Sequence, residues 1–375
     1  MKLADVPFVD NHVHPLARRQ PTTPAEFRAQ FGEAHDSSVA ADHLTTSVVY
    51  HWALRQLGGV LSISPTAEEI LEERARQGFL PYARTLVSAA NIGYLLLDTG
   101  FPPADVAYQY TKMANLLDVK VGHILRIEMV LEQMIPEHET MADLVDDFDA
   151  RLDDELRRGT IAFKSIAAYR TGLQIGEPSA QEAAAALAEV RKNASRPFRL
   201  SNKTLIDFFV HHALGVAAGR QLPVQFHTGY GDPDLDLRLA NPLHLRPLFE
   251  DQRYREAPIV MLHASYPYTG EAAYLAAVYP NAYLDIAYSL PPLGYSQLVK
   301  ATATALGVAP ASKIMASSDG VGIPEHYWLG AVRAREVLEV VLNDSIRFGE
   351  LDSVAAEHLG QLILSENAYR VYHLQ

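Results

Sequence analysis

A chain of 375 residues without one cysteine can carry no disulfide, thiolate nucleophile, cysteine-ligated zinc or iron–sulfur cluster. Its 45 Asp and Glu outnumber 32 Lys and Arg, a formal charge of −13 with no basic run, which argues against nucleic acid and membrane surfaces as partners. Apolar residues make up 48% of the chain, enough for the core of one large barrel or of two ordinary domains.

The N-terminus, MKLADVPFVDNHVH, shows no signal-peptide pattern and runs directly into a strand predicted over 8–13. No apolar run is long enough to span a bilayer, so the expected compartment is the cytoplasm. His12 and His14 close this first strand, and side chains two apart on a strand share a face. Further strands are predicted at 94–98, which ends on Asp98, and at 123–129 (HILRIEM). In the latter, Arg126 and Glu128 share one face while Leu125, Ile127 and Met129 share the other. An outer face packed on helices must be apolar, so Arg126 and Glu128 are expected to point inward. The fourth strand, 161–166, carries Lys164 among apolar neighbours. After helices at 179–192 and 203–218 come strands at 224–227 and 259–263, ending on His227 and His263. Strands at 282–286 and 313–316 follow, the last leading to Asp319, and helices at 325–342 and 353–372 finish the chain. Asn193 and Asn202 head glycosylation sequons to which no secretory signal lends meaning.

Strands alternating with helices argue for a parallel sheet with crossover connections, and eight of them suit a closed (β/α)8 barrel. The first turn, HVHPLARR, lacks the glycines of a dinucleotide-binding open sheet. One hydrolase barrel domain is expected over 1–375. It includes a helical insertion at 15–90, about seventy-five residues where connections usually have a few. A helix is predicted there at 66–77, and the insertion reads as a lid over the C-terminal mouth or as a packing element.

An H-x-H pair alone is a weak sign of a metal site. Three further features change that: VQFHTG, IVMLHAS and KIMASSDG each run an apolar strand into His227, His263 or Asp319, at the end where barrel enzymes keep their sites. Neutral imidazoles and a carboxylate suit a divalent metal, with zinc first and iron or manganese as alternatives. No G-x-S-x-G elbow, phosphate-binding loop or H-E-x-x-H helix competes with this reading.

DNHVH, FHTG, MLHAS and SSDG, in this order, resemble the amidohydrolase superfamily. QFHTGYGDPD, NPLHLRPLF, PNAYLDIAYS and LSENAYRVY are similar to one branch of it, the amidohydrolase-related family that includes the domain fused to glutamine synthetase in nodulin-like and FluG-like proteins. The likeness spans nearly the whole chain and is weakest over 15–90. It implies that His12, His14, His227 and Asp319 are metal ligands and that Asp319 is also the general base toward metal-activated water. It implies that His263 binds a second metal or orients and protonates the substrate. Lys164 matches a fourth-strand lysine that related two-metal enzymes carry as a bridging carbamate, so one or two ions per chain are expected. A cationic Lys164 that binds a substrate carboxylate, and a lysine snorkelling at a strand end, are the competing readings.

The expected activity is hydrolysis of an amide or γ-glutamyl-type C–N bond in a small carboxylate-bearing molecule. A one-metal decarboxylase or an isomerase of the same superfamily is the alternative, and a non-catalytic binding barrel is a third class. Arg126 and Arg170 are candidates for holding a substrate carboxylate, Glu128 for an amine or the metal, and Tyr169 and Tyr230 for the pocket wall. A structural ion-pair network is the competing account of Arg126 and Glu128. The expected partner is a small-molecule substrate, and a homo-oligomer is compatible with the sequence.

Overall fold

The computed structural model of the protein describes residues 1–192 and 198–375, so the Asn193 sequon lies outside the described residues. Eight strands follow one another around a single sheet in sequence order. They are β1 (Phe8–Val13), β2 (Ile92–Asp98), β3 (Lys120–Arg126), β4 (Thr160–Ser165), β5 (Val224–Phe226), β6 (Ile259–Met261), β7 (Ala282–Ala287) and β8 (Ile314–Ser317). Each pairs in parallel with the next, and helices fill the connections, giving the (β/α)8 barrel expected from the alternation.

The seam between β8 and β1 is closed by individual polar contacts. The Asp319 N–H donates to the His12 carbonyl (3.1 Å), and the His14 N–H donates to the Gly320 carbonyl (2.9 Å). The buried Asp10 carboxylate accepts from the Ser318 backbone N–H (2.8 Å) and from the Ser318 hydroxyl. The seam therefore joins the two stretches that bear His12, His14 and Asp319.

Inside the barrel, Val9, Leu96, Ile124, Ala162, Val260 and Met315 form an apolar layer. Val371 and Tyr372 of the C-terminal segment pack against it. Polar and charged side chains occupy the strand ends at the opposite mouth. A register shift between Asp10 and Val13 in the pairing with β2 breaks the alternation of β1. As a result Asn11 as well as His12 joins the buried interior network.

One expectation needs correction. The third strand stops at Arg126, and Ile127–Met134 is a helix. Ile127, Val130 and Leu131 are buried at helical spacing, and this outweighs the alternation of Leu125, Ile127 and Met129. Glu128 thus sits in a first helical turn and shares no strand face with Arg126. The C-terminal helix region runs without a gap from Ser353 to Val371 and widens into a π-helical stretch (Leu362–Glu366) on the way. Among the described residues no helix is long and apolar enough to cross a membrane.

The insertion contains helices Pro24–Ala29, Val48–Leu61, Ala67–Gln77 and Phe79–Ala89. It is anchored to the long helix Pro324–Arg347 by buried charge. Arg74 donates to the fully buried Glu325, which also accepts from the Tyr82 hydroxyl (2.9 Å). Arg333 lies 3.8 Å above the Trp52 ring. Arg74→Ala should therefore cost about 3–5 kcal/mol by leaving Glu325 buried without its cation. Arg76→Ala, in an exposed pair with Glu73, should leave stability nearly unchanged. Urea unfolding of both variants checks this contrast, and equal costs would contradict it.

Candidate metal centre

At the C-terminal mouth the ends of β1, β5, β6 and β8 bring His12, His14, His227, His263 and Asp319 to one cavity of about 450 Å³. Nε2 of His12 and Nε2 of His14 each lie 3.4 Å from Oδ1 of Asp319, and Nδ1 of His263 lies 3.1 Å from its Oδ2. The His227 and His263 rings are 4.4 Å apart. Lys164, on β4, brings Nζ to 3.3 Å from Nε2 of His12.

Hydrogen bonds behind the imidazoles set their tautomers. Gln225, on β5, donates its amide N–H to the Asn11 carbonyl (2.8 Å) and to the Tyr372 hydroxyl (2.7 Å). Its carbonyl is thereby turned to His12, whose Nδ1–H donates to it (2.8 Å). Nδ1 of His14 meets two acceptors, the carbonyls of Asp98 (3.1 Å) and Phe101 (3.0 Å), so it too carries the proton. Both histidines are left with Nε2 lone pairs aimed at Asp319. The network continues outward. The Asn11 side chain donates to Asp285 (2.8 Å), which also accepts from the Ser317 hydroxyl (2.9 Å) and the His263 backbone N–H (3.3 Å).

The electrostatics suit lone-pair donors. Burial, helped by Lys164, lowers His12 to about 3, and burial holds His227 well below the ordinary imidazole value. Burial alone would raise Asp319. The imidazoles of His263, His12 and His14 around it outweigh burial and hold the carboxyl well below the usual carboxylate range. Burial brings Lys164 down to about 8.

The residues present fit a divalent cation. Nε2 of His227 and both ring nitrogens of His263 are buried without a hydrogen-bond partner among the described residues, an expensive arrangement unless something else binds them. His12, His263 and Asp319 can each offer a ligand atom within 4.8 Å of the others. Asp98 stands equally close to His12 and His14, but Arg126 occupies it (2.7 Å). Burial would raise Asp98, and that guanidinium holds it well below the usual carboxylate range.

The remaining candidates separate. Arg126, Tyr169, Arg170 and Tyr230 line the cavity. Arg170 is paired with Glu132 (2.9 Å), while Nη1 of Arg126 and of Arg170 make no hydrogen bond among the described residues. The Tyr169 ring lies 4.4 Å from that of His227. Only glycine fits at 231, where a Cβ would collide with the Tyr169 hydroxyl. Glu128 is fully buried and absent from the cavity lining. Its carboxylate accepts from the Ser165 hydroxyl (2.6 Å) and the Ile166 N–H (3.0 Å).

Sequence reasoning missed Gln225, Asn11, Asp10 and Glu33. Gln225 did leave a signal, a lone polar residue in an apolar strand two places before His227. Glu33, in the insertion, left none.

A family profile described as amidohydrolase matches residues 141–374. Protein FluG of Emericella nidulans is 27% identical over 405 aligned positions, which take in 98% of this chain and 46% of that protein. The chain thus spans about half the length of this relative. An inferred metal-dependent hydrolase of Lactobacillus casei superposes with a TM-score of 0.89 at 30% identity, covering 99% of this chain and 97% of that one. A uronate isomerase of Bacillus halodurans superposes with a TM-score of 0.67 at 13% identity over 100% and 94% of the two chains, a likeness of fold alone.

Gln225→Met should remove the acceptor that holds the His12 tautomer and weaken metal binding by about 10–100-fold. Competition with a chelator of known affinity measures this, and an unchanged affinity would remove Gln225 from the centre.

Proposed function

The chain belongs to the amidohydrolase family, whose members are metal-dependent enzymes, and from that premise we propose a hydrolase that cleaves an amide or γ-glutamyl-type C–N bond in a small carboxylate-bearing molecule. One observation carries the reading: imidazoles with free nitrogens converge on an ionised carboxylate at the wall of a cavity that also holds arginine N–H groups. His12, His14, His227 and Asp319 would hold the cation, with zinc the first choice for this donor set. When bound there it supplies Lewis acidity and lowers the pKa of water toward ~7.

The chain's own groups then divide the work. Asp319, 15% exposed and facing the cavity, accepts a proton from the attacking water and returns it to the departing amine. His263, held against Asp319, has no partner at Nε2, and an N–H there would donate to the substrate carbonyl oxygen as negative charge develops. The free N–H groups of Arg126 and Arg170 hold the substrate carboxylate, and Tyr169 forms the wall beside His227. Glu128 has no part in this proposal. Lys164 lies against His12, where an ammonium would oppose a cation and a carbamate would add an anionic ligand. The carbamate is therefore the reading of Lys164 that the proposal adopts, and with it a second ion.

Replacing Asp319 with Asn should lower turnover of amide substrates by about 10²–10⁴-fold while the unfolding midpoint stays near that of the native chain. Full activity in that variant would refute the role of Asp319. Elemental analysis of protein purified without chelator should find two equivalents of metal per chain, and bicarbonate should speed metal reconstitution of stripped protein. One equivalent without a bicarbonate effect would return Lys164 to substrate binding. None, even after incubation with zinc or manganese, would defeat the hydrolase.

A further inference from the structure

The charged groups around the cavity are unevenly satisfied. Arg126 is paired with Asp98 (2.7 Å), Arg170 with Glu132 (2.9 Å) and Arg199 with Asp234 (2.9 Å). Glu33 is the contrast. The insertion carries this half-buried side chain to the same cavity, beside Tyr230 and Asp232 of the loop after β5. Its carboxylate has no hydrogen-bond or ion-pair partner among the described residues. The charges that act on it most are those of Asp319 and Asp232, both negative.

We infer that Glu33 binds a cationic amine of the substrate, so that the molecule accepted is a zwitterion of the amino-acid type. The inference rests on the hydrolase reading for the site and adds the substrate's second charge. The physical reason is that a carboxylate drawn from water and facing two others is unfavourable until a cation joins it. The same burial and repulsion raise the Glu33 carboxyl to about 7. An ammonium beside Glu33 meets its unpartnered carboxylate, with Asp232, which His35 also approaches (3.8 Å), next to it, while a carboxylate on the same molecule has the free N–H groups of Arg126 at the end of β3 and of Arg170 after β4. The two charges of an amino acid thus find separate partners in one cavity. The amine-binding role expected of Glu128 passes to a residue in the insertion.

Titration calorimetry on the purified full chain tests this with matched pairs that differ only in the amine: L-glutamate and glutarate, L-aspartate and succinate, L-leucine and 4-methylpentanoate. In at least one pair the amino acid should bind about tenfold more tightly, a difference of one decade in Kd. Glu33→Gln should abolish that preference and leave the Kd of the des-amino partner within about twofold. Glu33→Asp should keep part of it. The carboxylate has no partner to lose, so neither variant should melt below the native chain. Equal binding within every pair, or a preference that survives Glu33→Gln, would overturn the inference. Binding requires no turnover, so absence of the preference in a native chain that hydrolyses amides would count against Glu33 alone. A preference kept by a chain that hydrolyses no amide would count against the hydrolase alone.

Discussion

The buried His12 imidazole can present a lone pair to the barrel mouth only if its one hydrogen has a fixed acceptor, and the Gln225 amide is where that constraint is met. Its two N–H donors are taken by Asn11 and Tyr372, so its carbonyl must face His12. That single orientation puts the His12 proton on Nδ1 and leaves Nε2 as a lone pair toward Asp319. The backbone carbonyls of Asp98 and Phe101 do the same for His14. Remove these acceptors and the same residues would form a different set of donors. Tyr372 connects the arrangement to the floor of the barrel, since its ring packs in the inner apolar layer and its hydroxyl receives the Gln225 proton.

The backbone at the mouth is strained in the places that matter chemically. His263, Ala264 and Ser265 all have left-handed φ (63°, 54° and 48°), and Asp319 has φ of 52°. Such residues cost about 1–3 kcal/mol each unless their surroundings hold them. Here Asp285 accepts the His263 N–H, and Thr228 joins the Ser265 hydroxyl (2.8 Å) and the Leu262 carbonyl (2.6 Å). Gly229 (φ 72°) lets the β5 loop lie against the Ser265 backbone, where any Cβ would collide. The strained segment and its supports set Nδ1 of His263 at 3.1 Å from Asp319 and its ring at 4.4 Å from that of His227.

How far the chain could be read varied with the range of the interactions. All eight strands were legible because each is a short apolar run bounded by polar residues. The third was misjudged at its end because Leu125, Ile127 and Met129 alternate, while the buried set Ile127, Val130 and Leu131 obeys helical spacing. His12 and His14 do approach the same carboxylate, but Asn11 also joins the interior network, and the register shift that permits it belongs to the pairing with β2. The charges of Arg126 and Arg170 were visible, whereas their partners Asp98 and Glu132 were not.

The sequence by itself determined the barrel and the chemical identity of the donors, because both are written in local patterns: the apolar period of each strand and the residue type at its end. Tertiary structure decided the rest. It chose which nitrogen of each histidine keeps its proton, which arginines are already paired, and that Glu33 of the insertion faces the same cavity as Asp319. These depend on contacts such as His12 with Gln225, 213 residues apart, and Arg74 with Glu325, 251 apart. Hydrogen bonds and Coulomb forces at that separation leave no periodic trace in the chain, since they are set by where the strands and the insertion come to rest in space.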